Sequence, residues 1–260
     1  MDETKNKDIV YKKIKNFVKE NTNNNNNNDN NKKNITDIKY NGHRHHHYLI
    51  IFSPPDWGST ALEGLLSSSP HVDTMCKAKT WACEGTWLLI KHGLFEREER
   101  WNETKTNWTR AYEIYHQYAW DNTKHFLMDK SPPNIAKVHS LHRFFVENKY
   151  EYSFIILTRH PCLQKIGRLL SFQKYAVFIN DALNVIPQKN RIIIHYEELV
   201  GNPYAVSAKL LHFLPDLNIL NPSKNRLFGP GESNIRYEPL TQFKSSEHCT
   251  FQHYKEPLFD

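Results

Sequence analysis

Four short apolar runs, each followed by a helix-like stretch, restrict this chain to one broad architecture. The runs are Tyr48–Phe52, His125–Met128, Phe154–Thr158 and Arg191–His195. Tyr48-Leu49-Ile50-Ile51-Phe52 is continuously apolar, the pattern of a strand covered on both faces. Behind the runs lie helix-like segments at about Ser59 to Ser68, 134–148, 161–179 and 203–214. Strands that alternate with helices pair in parallel through right-handed crossovers. The expected fold is therefore α/β, with a central, mainly parallel sheet flanked by helices. Residues 80–120, rich in Trp and Tyr, are expected as helices on one side of that sheet. From 215 onward Pro, Asn and Gly multiply, and a long, loop-rich C-terminal segment is expected.

What precedes Tyr48 has a different composition. Val10, Ile14, Phe17 and Val18 stand at helical spacing among lysines, a short basic amphipathic pattern that frays in water or touches a membrane surface. Residues 21–34 are nearly all Asn, a run that cannot bury apolar area and is expected to be disordered. His43-Arg44-His45-His46-His47 reads as a metal-binding tract or a solvated linker. The linker is preferred, because no carboxylate or thiol sits nearby at useful spacing. The division expected is a tail, 1–47, and one domain, 48–260, long enough to bury a substantial core.

The net charge of +6 suggests nucleic acid until it is divided. The tail carries 10 Lys and Arg against 6 Asp and Glu; the body carries 24 against 22. A duplex-binding domain concentrates its basic residues on one face, whereas here they are interleaved with acidic ones, so a nucleic-acid partner is disfavoured. Cys76, Cys83, Cys162 and Cys249 are too few and too scattered for a disulfide framework or a zinc site, and are expected as buried apolar thiols. No run reaches the 18 or so apolar residues of a membrane span, and the first 20 residues lack a signal peptide's apolar stretch. A cytoplasmic chain is the default expectation.

Three segments at strand ends carry chemistry. Ser53-Pro54-Pro55-Asp56-Trp57-Gly58-Ser59-Thr60 joins the first strand to the first helix. Backbone amides at a helix start, with the helix dipole behind them, bind anions. Gly58 allows close approach, and the Ser59 and Thr60 hydroxyls add donors. An ordinary turn capped by Ser59 explains the same letters. No Lys follows Gly58, so the Walker A pattern is absent and a nucleotide kinase of related fold is disfavoured. Met128-Asp129-Lys130-Ser131-Pro132-Pro133-Asn134 would project Lys130 from the carboxyl edge of the sheet, where open α/β folds bind ligands. Leu157-Thr158-Arg159-His160-Pro161 would place Arg159 on that same edge, suited to a phosphate. Together they suggest a doubly phosphorylated or phosphosulfate nucleotide.

With those segments in order, 48–214 resembles the sulfotransferase family, which uses 3′-phosphoadenosine 5′-phosphosulfate on a P-loop-like fold. Pro55-Asp56-Trp57-Gly58-Ser59-Thr60 is similar to the family's P-[KR]-[ST]-G-[ST]-T turn, which binds the 5′-phosphosulfate. Lys130-Ser131-Pro132-Pro133 looks like its E-K-[ST]-P segment, and Leu157-Thr158-Arg159-His160-Pro161 like the L-[VT]-R-[DN]-P segment that grips the 3′-phosphate. Tyr196-Glu197-Glu198-Leu199 is similar to its Y-E-[DE]-L segment. The chain departs from the pattern twice. Asp56 stands where the family has the Lys or Arg that steadies the leaving oxygen. Gly167 stands where it has a 3′-phosphate serine, with Arg168 and Ser171 close by.

The resemblance implies sulfuryl transfer to a hydroxyl of a carbohydrate, a protein tyrosine or a small molecule. In that reading the amides of Gly58, Ser59 and Thr60 hold the donor, Lys130 is the main cation near the reacting group, and Arg159 binds the 3′-phosphate. No metal is required, because protein donors neutralise the charge. Glu84, in an aromatic stretch, is the candidate base for the acceptor; His125, His139 and His142 are equally eligible among the histidines. Trp81, Trp87, Trp101, Trp108, Tyr112, Tyr115, Tyr118 and Trp120 are expected mostly as core, with some free to stack an acceptor. Asp56 supports an alternative from a different class: a relative that binds nucleotide or a partner without turnover.

Overall fold

The computed structural model describes residues 46–103, 106–159 and 172–224. Among the described residues five strands form one sheet: β1 (His47–Phe52), β2 (Val72–Asp73), β3 (Phe126–Asp129), β4 (Glu151–Thr158) and β5 (Arg191–His195). Their order is β2-β3-β1-β4-β5 and every pairing is parallel, with Ile50 level with Asp129 on one side and Phe154 on the other. The helices are α1 (Ser59–Leu66), α2 (Gly85–Lys91), α3 (Trp108–Tyr118), α4 (Val138–Glu147), α5 (Phe172–Val185), α6 (Tyr196–Gly201) and α7 (Pro203–Phe213). The α/β class expected from the strand and helix alternation is the class observed.

Both faces of the sheet are covered, which explains why its strands read as continuous apolar runs. Leu49, Ile51, Ile155 and Leu157 point to an aliphatic layer built from Leu62, Leu65 and Leu66 of α1, Leu199 of α6, and Val206 and Leu210 of α7. Tyr48, Ile50, Phe52, Phe154 and Ile156 point the other way, into an aromatic layer with α3, α4 and α5. Tyr48 lies within 5.7 Å, centroid to centroid, of the rings of Tyr112, Trp120 and Phe145. Trp120 is fully buried and donates its indole N–H to the Met128 carbonyl at 3.1 Å, tying the chain after α3 to the end of β3.

Several expectations need correction. Cys76 and Cys83 are not apolar thiols; they form a disulfide. Lys79, Ala82 and Cys83 all adopt positive φ, and this tight reversal brings the two Cα atoms to 4.3 Å. His46 and His47 are not linker residues. His47 opens β1 and hydrogen-bonds Ser153 at 2.9 Å, while His46 meets the Lys124 carbonyl at 3.0 Å. The helix expected over 134–148 is a 3₁₀ segment, Pro132–Lys137, followed by α4. β2 and α6 are too short for a periodic signal and were not expected. The amphipathic pattern at 9–18, the Asn run and residues 225–260 lie outside the described residues. Among the described residues no helix is long and apolar enough to cross a membrane.

Replacing Trp120 separates packing from hydrogen bonding in the aromatic layer. Trp120→Ala is expected to cost about 3–5 kcal/mol. Trp120→Phe keeps most of the volume but strips the Met128 carbonyl of its indole donor, and is expected to cost about 1–2 kcal/mol. Urea unfolding midpoints of the two variants against wild type check the order and the size.

Candidate functional site

The carboxyl ends of β1 and β4 lie side by side, and the chain leaves them in opposite directions: from β1 toward β2, from β4 toward β5. Such a switch point opens a crevice at the carboxyl edge of an α/β sheet. The turn after β1 occupies it. Asp56 has φ 65° and Gly58 φ 96°, so the backbone doubles back before α1 begins at Ser59. A Cβ on Gly58 would lie 2.3 Å from Cδ2 of Tyr196, the first residue of α6, so only glycine fits beneath that ring. The amides of Ala61 and Leu62 donate to the Gly58 carbonyl. Ser59 and Thr60 precede them in the first turn, where helix geometry gives an amide no intrahelical acceptor, and no side chain caps the helix. Ser59 is therefore not the cap that an ordinary turn would use. Trp57 is buried in the aromatic layer, Pro55 is half-buried, and the Asp56 side chain is exposed.

Lys130 follows β3 and is almost entirely buried. Its Nζ donates to the Thr60 hydroxyl at 3.2 Å and to the Ala82 carbonyl at 2.6 Å, and pairs with Glu63 of α1 at 3.3 Å. The strand-end lysine thus reaches the first turn of α1, as its place on the sheet edge implies. Its carboxylate partner escaped the sequence reading. The available signal was Glu63 itself, a charged residue within the otherwise apolar Ala61-Leu62-Glu63-Gly64-Leu65. A charge on a buried helix face requires a counter-charge.

Glu84 stands beside Lys130 because the two segments are bolted together. Asp129 is fully buried and accepts from the Ser131 hydroxyl at 2.6 Å and the Asn134 amide at 2.7 Å. The Thr86 amide donates to the Ser131 hydroxyl at 3.0 Å. Gly85 is pressed against Tyr115, whose ring would meet an added Cβ at 2.7 Å, so this junction admits no side chain. Glu84 accepts from the Trp87 indole N–H at 3.1 Å. Burial pushes its carboxyl up to about 7, even though Lys130 and the Trp87 hydrogen bond pull the other way. A carboxyl poised there exchanges protons near neutrality.

Arg159, at the end of β4, lies on the other side of the turn. It donates to the Asp56 carbonyl at 2.9 Å, and its guanidinium carbon sits 4.3 Å from the centre of the Tyr196 ring. Its Nε is buried and has no hydrogen-bond partner among the described residues. A buried guanidinium N–H without an acceptor is costly, and an anionic oxygen at the turn would satisfy it.

Gly167, Arg168 and Ser171 lie outside the described residues. The three candidate histidines are not brought to this edge. His125 precedes β3 at its amino end, and His139 and His142 lie on α4. His142 lines, with His47, Tyr152 and Asn190, a hollow of about 560 Å³ at the amino ends of β1 and β4. That hollow is roughly 20 Å from the turn, the length of a six-residue strand, and includes none of the residues around Gly58. The aromatic stretch divides: Trp108, Tyr112, Tyr115 and Trp120 are core, Trp87 and Trp101 are half-buried, and Trp81 is 71 % exposed. Tyr118 is exposed and stacks on His92.

No family model matches the sequence, and no curated protein matches it. Among solved structures the chain is similar to a sulfotransferase from Alicyclobacillus acidocaldarius, at 15 % identity and TM-score 0.44, covering 75 % of this chain and 87 % of that one. It is also similar to the sulfotransferase domain from the curacin biosynthetic pathway, at 17 % identity and TM-score 0.43, covering 72 % of this chain and 79 % of that one. A third is the sulfotransferase domain from the Synechococcus PCC 7002 olefin synthase, at 19 % identity and TM-score 0.41, covering 74 % and 83 %. Likeness at this level carries no argument about a site, and the case for one rests on the residues described above.

The Glu84 carboxyl gives a pH signature. Its value in the folded protein, about 7, lies above the usual 4.5. Between those values the folded state holds a proton that the unfolded chain has lost, so this residue makes stability fall as pH rises from about 4.5 to about 7. In Glu84→Gln that part of the slope is expected to vanish. Unfolding free energies of both proteins at pH 5 and pH 7.5 check it; identical slopes would reject the raised value.

Proposed function

We propose that this chain binds 3′-phosphoadenosine 5′-phosphosulfate at the turn after β1 and promotes sulfuryl transfer to an acceptor hydroxyl. The observation that carries the reading is the placement of Lys130 and Arg159 against opposite parts of the one turn, with a buried Arg159 Nε that has no acceptor among the described residues. The residues fit such a nucleotide. The amides of Ser59 and Thr60 would hold the 5′-phosphosulfate, and Arg159 the 3′-phosphate. The donor, when bound, supplies the sulfuryl group. Lys130, already at Thr60, would steady the charge that spreads as the group departs. Glu84 would take the acceptor proton, its carboxyl held ready near neutrality by burial. Pro55 and Trp57 would shape the turn: Trp57 anchors it in the core, and Pro55 leads into the reversal at Asp56.

A second reading has a specific observation behind it: nucleotide bound without turnover. Asp56 is exposed on the turn where the resembled family has a basic residue, and Glu63 already neutralises Lys130. Two carboxylates therefore offset the two cations around the turn. A highly anionic donor meets a nearly neutral site, and its departing oxygen lacks a dedicated cation.

Calorimetric titration with adenosine 3′,5′-diphosphate tests the binding that both readings share. Wild type is expected to bind, and Arg159→Ala to bind about 10- to 100-fold more weakly, the loss of about 1.5–3 kcal/mol for a charge-assisted hydrogen bond. No binding by wild type would remove both readings. A sulfuryl-transfer assay of wild type and Asp56→Lys then separates them. Activity in wild type supports the first, and activity gained only in Asp56→Lys supports the second.

A further inference from the structure

The disulfide Cys76–Cys83 closes a loop directly over the lysine, and nothing in the proposed chemistry uses it. Within that loop Ala82 presents its carbonyl to Lys130 Nζ at 2.6 Å, and Glu84 is the next residue after Cys83. Lys79, Ala82 and Cys83 are non-glycine residues at φ 53°, 49° and 58°, a backbone that relaxes unless something holds it. Local hydrogen bonds shape the loop: the amides of Lys79, Cys83 and Glu84 donate to the carbonyls of Cys76, Thr80 and Trp81, and the Thr80 hydroxyl donates to the Glu84 carbonyl. The bonds from Thr86 to Ser131 and from Gly85 to Asp129 anchor α2 rather than 76–84, so the disulfide is the covalent tie that closes this set of turns. The two cysteines differ in access: Cys76 is exposed and Cys83 is buried. Both sulfurs lie within 4.8 Å of a Glu63 carboxylate oxygen, the same group that pairs with Lys130.

We propose that Cys76–Cys83 is a redox-controlled clamp on the catalytic edge: oxidised, it fixes Ala82 and Glu84 against Lys130, and reduced, it releases them. The site takes a dithiol reductant. A reductant thiolate attacks the sulfur of Cys76, the more exposed residue, Cys83 leaves as the thiolate and is protonated, and the second reductant thiol displaces Cys76. Two electrons and two protons reach the protein, and the reductant ends as its own disulfide. The loop then loses its covalent closure, Ala82 relaxes from the left-handed region, and its carbonyl leaves Lys130. Residues from Gly85 onward keep their anchors, so the change stays within 76–84. The consequence for catalysis rests on the reading of Lys130 and Glu84 given above; the release itself does not.

The test uses the full chain carrying Cys162→Ser and Cys249→Ser, so that Cys76 and Cys83 are the remaining cysteines. Three forms are compared: oxidised, reduced with dithiothreitol, and bearing Cys76→Ser and Cys83→Ser. Hydrogen exchange followed by mass spectrometry is expected to quicken at least 10-fold in 76–84 in the second and third forms, with 48–66 unchanged. Acylation of Lys130 by an amine-reactive reagent is expected to quicken at least 5-fold, and diphosphate affinity to stay within 3-fold. Equal exchange and equal Lys130 reactivity in all forms would overturn the clamp, as would exchange rising throughout the sheet on reduction. Failure of every form to bind the diphosphate would remove the nucleotide reading and leave the exchange and acylation results to decide this one.

Discussion

A buried ammonium group organises the carboxyl edge of this protein. Lys130 Nζ, with its side chain 1 % exposed, joins β3 to the Thr60 hydroxyl, to Glu63 one turn further along α1, and to the Ala82 carbonyl of the disulfide loop. An unpaired charge at such depth is severely penalised, so Glu63 is a requirement of placing Lys130 there at all. The pairing brings α1, the loop 76–83 and the end of β3 into one cluster. It also limits what the edge can do, because a lysine balanced by glutamate projects little net potential beyond its own contacts. Any anion at the turn must rely on directed hydrogen bonds from backbone amides and Arg159 rather than on a broad positive field.

The sheet was legible in the sequence because its strands are covered on both faces. That burial forces unbroken apolar runs; those at Tyr48 and Arg191 became β1 and β5 nearly residue for residue, and Phe154–Thr158 became the carboxyl part of β4, which begins three residues earlier at Glu151. The two-residue β2 and the six-residue α6 carry too few positions for any period to register. The histidines before Tyr48 misled for a related reason. A polar composition suggests solvent, but His47 finds Ser153 and is half-buried, with a ring whose pKa falls to about 4, first through desolvation and then through the nearby His125.

At the candidate site the residues that project from strand ends were readable, and their partners were not. Lys130 and Arg159 announce themselves by following apolar runs. Glu63 and Tyr196 meet Lys130 and Arg159 only through tertiary contact between segments far apart in the chain, and the Cys76–Cys83 bond, though local, depends on a reversal at positive φ that composition does not announce. Tyr196 shows the limit most clearly. Its ring fills the space left by the missing Gly58 side chain and stacks on Arg159, so one aromatic residue fixes both sides of the turn. Local spacing contains no trace of that arrangement.

The balance between turnover and mere binding comes down to geometry that charge counting misses. Asp56 sits in the left-handed region, which costs a non-glycine residue about 1–2 kcal/mol, and Arg159 offsets that cost by bonding its backbone carbonyl. The residue is therefore held by its main chain, and its exposed carboxylate is not a strut of the fold. Among the described residues the Asp56 side chain makes no bond that fixes the turn, so its charge can change at lower cost than Gly58 beneath Tyr196 or Lys130 against Glu63. If the turn holds an anion as proposed, the same edge would combine a rigid frame with one replaceable position that sets how strongly the frame attracts it. Under the proposed function, that separation would let one substitution at Asp56 decide between turnover and binding alone.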